Sequence, residues 1–219
     1  MKAWLRTAAL LALAALTGGC VAWGPPLRMQ VRDTFVADAL ERDATDLRSA
    51  DPTIRYWALI RLMQRVDRRA IPLIRPLVRR EREDVPIIRA AAVQTLRRLG
   101  DTDSLAELAL ISDDPDPFVR REILKTFGTR PTDLGVSCLL YALRCDPEED
   151  VRIEAADCLA QVGGRAAIPR LIAALDDRKE RSASVRLAAW QALVHLTQTD
   201  HGMRPSRWEK WWKEQEATP

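Results

Sequence analysis

The pattern of apolar and polar positions along this chain resets itself at a nearly fixed interval. Its landmarks are five hydrophobic-Arg pairs, Ile54-Arg55, Ile88-Arg89, Val119-Arg120, Val151-Arg152 and Val185-Arg186. Successive arginines lie 34, 31, 32 and 34 residues apart. Such a period marks a stacked repeat, in which each unit exposes apolar surface that only its neighbours can cover. Two features keep step with the pairs. A stop stands before them, as at Asp51-Pro52, Asp114-Pro115 and Asp146-Pro147, where Asp suits a helix cap and Pro the first turn. Small and apolar residues follow at helical spacing, as in Ala155, Ala156, Leu159 and Val162 before Gly163. A second helix then opens, twice with Ile-Pro, since Pro72 and Pro169 each lie 17 residues beyond their arginine. The pattern predicts an all-α chain, an α-solenoid of about five helix pairs over residues 51–198.

Val151-Arg152-x-x-Ala155-Ala156-x-x-Leu159-x-x-x-Gly163 resembles the HEAT repeat, in the short bacterial form also found in phycobilisome-lyase-like proteins. Ile54-Arg55-Tyr56-Trp57-Ala58 and Val119-Arg120-Arg121-Glu122-Ile123 match it more loosely. The Thr-Pro-Leu-His signature of ankyrin and the Trp-Leu-Gly-Tyr spacing of tetratricopeptide repeats are absent. The resemblance implies the fold strongly and the function weakly, because such arrays serve many unrelated partners. It also implies a structural role for Arg55, Arg89, Arg120, Arg152 and Arg186, each reaching an acidic side chain or helix-end carbonyl of the adjacent repeat.

A finite stack needs ends. Residues 31–50, with Phe35, Val36, Ala39, Leu40 and Leu47 at helical spacing, read as an N-terminal capping helix. Residues 199–219 read as a C-terminal capping helix in which Ser206 and Glu209 form a capping box. Trp208, Trp211 and Trp212 fall at i, i+3 and i+4 on one face of it. Clustered indoles stack on sugars or anchor a partner. They also cover the last open repeat, and the W-x-x-W-W tail resembles that of other bacterial HEAT proteins, which favours the cap.

With 47% hydrophobic and 30% charged residues among 219, the chain has ample material for a core. Charge is unevenly placed. Arg55 to Arg98 holds twelve arginines against four acids, a local +8, whereas Leu99 to Arg181 holds seventeen acids against eleven bases. Arg68, Arg79, Arg80 and Arg82 are therefore the candidate partner-binding residues, set where an acidic surface would be met. Beyond the first 19 residues the chain has 32 basic and 31 acidic side chains, which argues against a general nucleic-acid binder.

Those first residues read as an address. Lys2 and Arg6 precede a nine-residue apolar run, Ala8 to Leu16, too short to span a bilayer and typical of an export signal. Thr17-Gly18-Gly19-Cys20 resembles the lipobox of bacterial lipoproteins, with Thr17 in the place where Leu is commoner. The resemblance implies cleavage after a signal at residues 1–19 and lipidation of Cys20, with residues 20–30 as tether. Val21, where an Asp would retain the protein in the inner membrane, implies the periplasmic face of the outer membrane.

Catalytic chemistry is sparse. Cys158 sits at a small-residue position, and Cys138 and Cys145 lie seven apart on one expected helix, too far to bridge. His195 and His201 have no spacing that makes a four-ligand zinc set. No phosphate loop or nucleophile elbow stands out. The expectation is a non-catalytic envelope scaffold with no cofactor, docking a protein partner on a concave surface lined by the second helices. The alternatives are a module for cell-wall carbohydrate or acidic polymer, and a lyase-related HEAT protein.

Overall fold

The computed structural model describes residues 39–176 and 178–217. The chain divides into two compact units, Met1–Ala39 and Leu40–Pro219, and the account concerns the second. The export signal, Cys20, the tether and the first eight residues of the expected N-terminal cap lie outside the described residues.

Among the described residues there are eleven α-helices and no strand. Helix α1 (Ala39–Asp46) precedes the first repeat. The first helices of the repeats are α2 (Pro52–Arg65), α4 (Pro86–Leu99), α6 (Pro117–Thr129), α8 (Glu149–Val162) and α10 (Ala183–Thr197). The second helices are α3 (Ile71–Ile74), α5 (Leu105–Leu110), α7 (Asp133–Cys145), α9 (Gly164–Ala174) and α11 (Pro205–Glu216).

Local chemistry sets most of these bounds. The Asp51 side chain accepts the Thr53 N–H, and Asp116 accepts that of Phe118, with Pro52 and Pro117 next in line to lose no bond. Helix α4 ends on Gly100 at φ 75°, the left-handed closure that glycine adopts without strain. Three positions depart from the pattern's expectations. Asp114 and Asp146 are not caps, because their carboxylates are held by arginines of the preceding repeat, and the cap of α6 falls to Asp116. Helix α9 starts at Gly164, so Pro169 lies inside it instead of opening it. In the first repeat, Pro72 and Pro76 stand four apart and break the second helix into the 3-10 turn Arg68–Ala70, the one-turn α3 and the 3-10 turn Arg75–Val78.

One continuous core runs through the stack. The first helices present Ala58, Ala91, Ala92, Ala155, Ala156, Ala188 and Ala189 to it, all buried. These small side chains let neighbouring first helices approach closely. The tightest approach is Gly128 on α6 against Cys158 on α8, where a Cβ on the glycine would stand 2.6 Å from the thiol sulfur. The first helices pack extensively on one another from α2 to α10, while the second helices touch their neighbours sparingly. The first helices thus form the more closely packed of the two layers.

Candidate functional site

The frame of the site is an arginine ladder. The Arg55 guanidinium donates through Nε and Nη2 to both oxygens of Glu83, at 2.7 and 2.8 Å. Arg89 holds Asp114 in the same fork at 2.9 and 2.8 Å, Arg120 holds Asp146 at 2.8 and 2.8 Å, and Arg152 holds Glu180 at 2.8 and 3.2 Å. In every case Nη1 turns back and donates to two carbonyls in the loop before its own helix, as Arg89 does to Glu83 and Asp84. Each acid in turn accepts the N–H two residues on, as Asp114 does from Asp116 at 2.9 Å. The acid thus ties one repeat's arginine to the turn that launches the next repeat. Burial varies: Arg89 and Asp114 keep 1% and 4% of their side-chain exposure, whereas Arg152 and Glu180 keep 16% and 12%. The carboxylate bonds push the Arg55 and Arg120 guanidinia above their ordinary values, so both stay charged.

On their exposed face, the ladder's helices carry apolar side chains. Trp57, Ile87 and Phe118 retain 52%, 56% and 61% of their exposure. Tyr56, Ile87 and Phe118 line a cleft of about 130 Å³ across α2, α4 and α6, with Trp57 edge-on to Tyr56 at 5.9 Å. Its polar margin is already paired, Lys125 with Glu122 at 2.7 Å and Arg121 with Glu154 at 3.4 Å. Sequence reasoning did not single out this strip. Its signal is the residue two before the repeat arginine, Ile87 and Phe118 in the second and third repeats but Asp150 and Ser184 in the fourth and fifth.

The basic first half is less basic in space than in sequence. Eight of its twelve arginines are ion-paired, six of them with acids outside the Arg55–Arg98 stretch, including Asp43, Asp46, Asp101, Glu107, Asp114 and Glu122. Of the candidate residues, Arg79 is one of these, joined to Glu107. Arg68, Arg80 and Arg82 are exposed and have no ion pair among the described residues. Arg82 lines a cleft of about 670 Å³ with Arg48, Leu73 and Leu77, at the broken second element of the first repeat.

At the other end, Trp208 is fully buried and its indole N–H donates to the Gly202 carbonyl at 2.7 Å. Trp211 meets it edge-on at 5.7 Å and is half-buried, as is Trp212, over which Arg165 of α9 sits at 4.8 Å from the ring centre. Ser206 does not cap this helix, because the helix begins at Pro205 and Ser206 lies inside it; the N-cap residue is Arg204, which makes no side-chain cap bond. His201 meets Trp208 edge-on at 4.8 Å, and His195 Nδ1 bonds the Ala160 carbonyl at 2.9 Å. Among the described residues no three His, Cys, Asp or Glu are grouped to hold a metal ion. Helix α7 contains both Cys138 and Cys145, and they are free thiols, as is Cys158. Burial pushes the Cys158 thiol up to about 12, with Glu154 and Asp157 adding to the effect.

The family model for HEAT repeats matches residues 44–128 and 136–201, and the chain belongs to that family. Among solved structures it is similar to the complex of CpcE and CpcF of phycocyanin lyase from Nostoc sp. PCC7120. The match has a TM-score of 0.60 and 18% identity, over 93% of this chain and 76% of that one. At that identity the likeness shows the fold. No curated protein matches the chain.

Proposed function

We propose that this HEAT-repeat chain is a non-catalytic scaffold, anchored through a lipid on Cys20 to the periplasmic face of the outer membrane, that holds a protein partner on the exposed face of its first helices. The observation that carries the partner-binding part is the strip of Tyr56, Trp57, Ile87 and Phe118. Large apolar side chains left in water on a closely packed layer, with the surrounding charges already paired, suit the apolar side chains of another protein. The residues that would carry chemistry are committed to packing, notably Cys158 against Gly128 and His201 against Trp208. The similar solved structure is itself described as a complex of two chains, which fits an array that works by holding a partner. Its description as part of phycocyanin lyase keeps a lyase-related activity as the competing reading. A second reading, capture of an acidic envelope polymer, is favoured by Arg68, Arg80 and Arg82, which are exposed with no ion pair among the described residues, and by the cleft that Arg82 lines. In either reading Trp208, Trp211 and Trp212 serve as the cap and not as a sugar platform.

Two measurements test this. Radioactive palmitate should label the wild-type chain and not Cys20→Ser, and absence of label from the wild type contradicts the anchor. Pulldown from crosslinked envelopes should recover one protein with the wild type and lose it with Phe118→Glu. Loss with Arg80→Glu and Arg82→Glu alone, relieved by salt, would favour the acidic polymer instead.

A further inference from the structure

The ladder has four closed rungs and one open end. Arg186, the fifth repeat arginine, is oriented as the other four are: its Nη1 donates to the carbonyls of Glu180 and Arg181 at 2.7 and 2.9 Å. Those bonds fix the plane of the guanidinium. The edge that carries Nε and Nη2, which in Arg55, Arg89, Arg120 and Arg152 grips a carboxylate, has no partner among the described residues. Among the described residues no element beyond α11 offers an acid at the corresponding place.

That edge borders a cavity of about 500 Å³ between the loop after α9 and the start of α11, lined by Leu175, Met203, Arg204, Ser206 and Glu209 among others. Asp176 in its wall is already paired with Arg178 at 3.1 Å. Among the described residues neither Arg186 nor Arg204 has an ion pair, and neither does Glu209, the other carboxylate of the wall. We infer that this end of the stack is a carboxylate-binding site that takes an Asp or Glu side chain from a partner protein, completing the fifth rung in trans. The four internal rungs state the recognition chemistry: a bidentate fork of two N–H donors, and an acid at the turn where a helix begins. A second copy of this chain does not fit in ladder register. Its corresponding position, six residues before Arg55, is Ser49, which offers no carboxylate. The inference extends the partner-binding reading, yet it stands apart from the apolar strip, and the two fail separately.

The test uses the full chain with ¹⁵N-labelled arginine and reads each Nε–H resonance by NMR, with Arg186→Lys to assign the fifth. The probe is a synthetic peptide of residues 144–162, whose Asp146 is the acceptor of the third rung. The expected result is a saturable shift of the Arg186 resonance while that of the buried Arg89 stays in place. A peptide carrying Asp146→Asn should bind about ten-fold more weakly or worse, since it offers a single acceptor and no charge. Equal shifts with both peptides would overturn the inference. So would an Arg186 resonance already as protected as Arg89's and released by Glu209→Gln, which would mean that the chain closes its own rung.

Discussion

At its N-terminal end the stack meets α1 through charge. Asp43, fully buried, accepts Arg61 at 2.8 Å and also pairs with Arg65, while Asp46 accepts Arg61 at 2.7 Å, with Leu40 and Leu47 as the apolar contribution. At its C-terminal end the stack meets α11 through an indole, Trp208, with no exposure left and its single polar atom satisfied. The two closures answer the same problem, an unpaired apolar face, with different physics. Burial of Trp208 is non-directional and tolerant of salt. The cluster at α1 depends on geometry, and its arginines reach water on one side, with 19% and 34% of their side chains exposed. The aromatic end should therefore contribute more to holding the stack than the ionic end does.

Several substitutions sharpen or break that contrast. The largest effect is expected for Trp208→Ala, which empties the cap and leaves the Gly202 carbonyl without its donor, at about 3–5 kcal/mol. Thermal unfolding followed by circular dichroism reads it, and a melting temperature close to wild type would mean that α11 is an appendage. Asp43→Ala should cost less, about 1–3 kcal/mol, because Arg61 and Arg65 can turn to solvent once released. If it proves the more damaging of the two, the contrast between the ends is reversed.

Between the ends, Gly128→Ala should cost about 1–3 kcal/mol, since its methyl would run into Cys158. Cys158→Ala in the same chain should restore little of that loss, because it removes the sulfur but keeps the Cβ that would stand 2.8 Å from the new methyl. A full rescue would mean that the sulfur alone carries the clash. Removing the cation over the outer indole, Arg165→Ala, should cost no more than about 1 kcal/mol.

The smallest effect concerns acid. The Gly202 N–H at 2.7 Å and the Trp190 indole at 2.9 Å hold the Asp200 carboxyl below the ordinary aspartate value. A group depressed in the folded state lends stability above its unfolded value, and that stability is lost as pH falls through the folded one. Trp190 fluorescence should therefore respond below about pH 4 in the wild type and stay flat in Asp200→Asn. Identical titrations would show that the loop does not depend on this carboxylate.

How much of this could be read in the sequence differs by layer. The repeat arginines and the helix pairs were legible because the same side chains recur at the same interval. The acids that complete the ladder were visible only in part. Asp114 and Asp146 drew notice as caps, but their role appears once Glu83 and Glu180 are placed beside them, all four lying six residues before the next repeat arginine. The charge segregation misled for a related reason. Linear counting cannot see that Arg61, Arg75, Arg79 and Arg89 reach acids 15 to 28 positions away. The apolar strip escaped because which side chains of the first helices stay exposed is decided by how neighbouring helices pack, which periodicity alone does not show.

The claim that the stack docks through its first-helix layer is tested most directly by a photocrosslinker placed in turn at Phe118, on that layer, and at Leu110, on the second helix α5 and 83% exposed. In intact envelopes Phe118 should yield one discrete adduct, abolished by Ile87→Glu, while Leu110 yields none. The same adduct from both positions, or from Leu110 alone, would contradict the account.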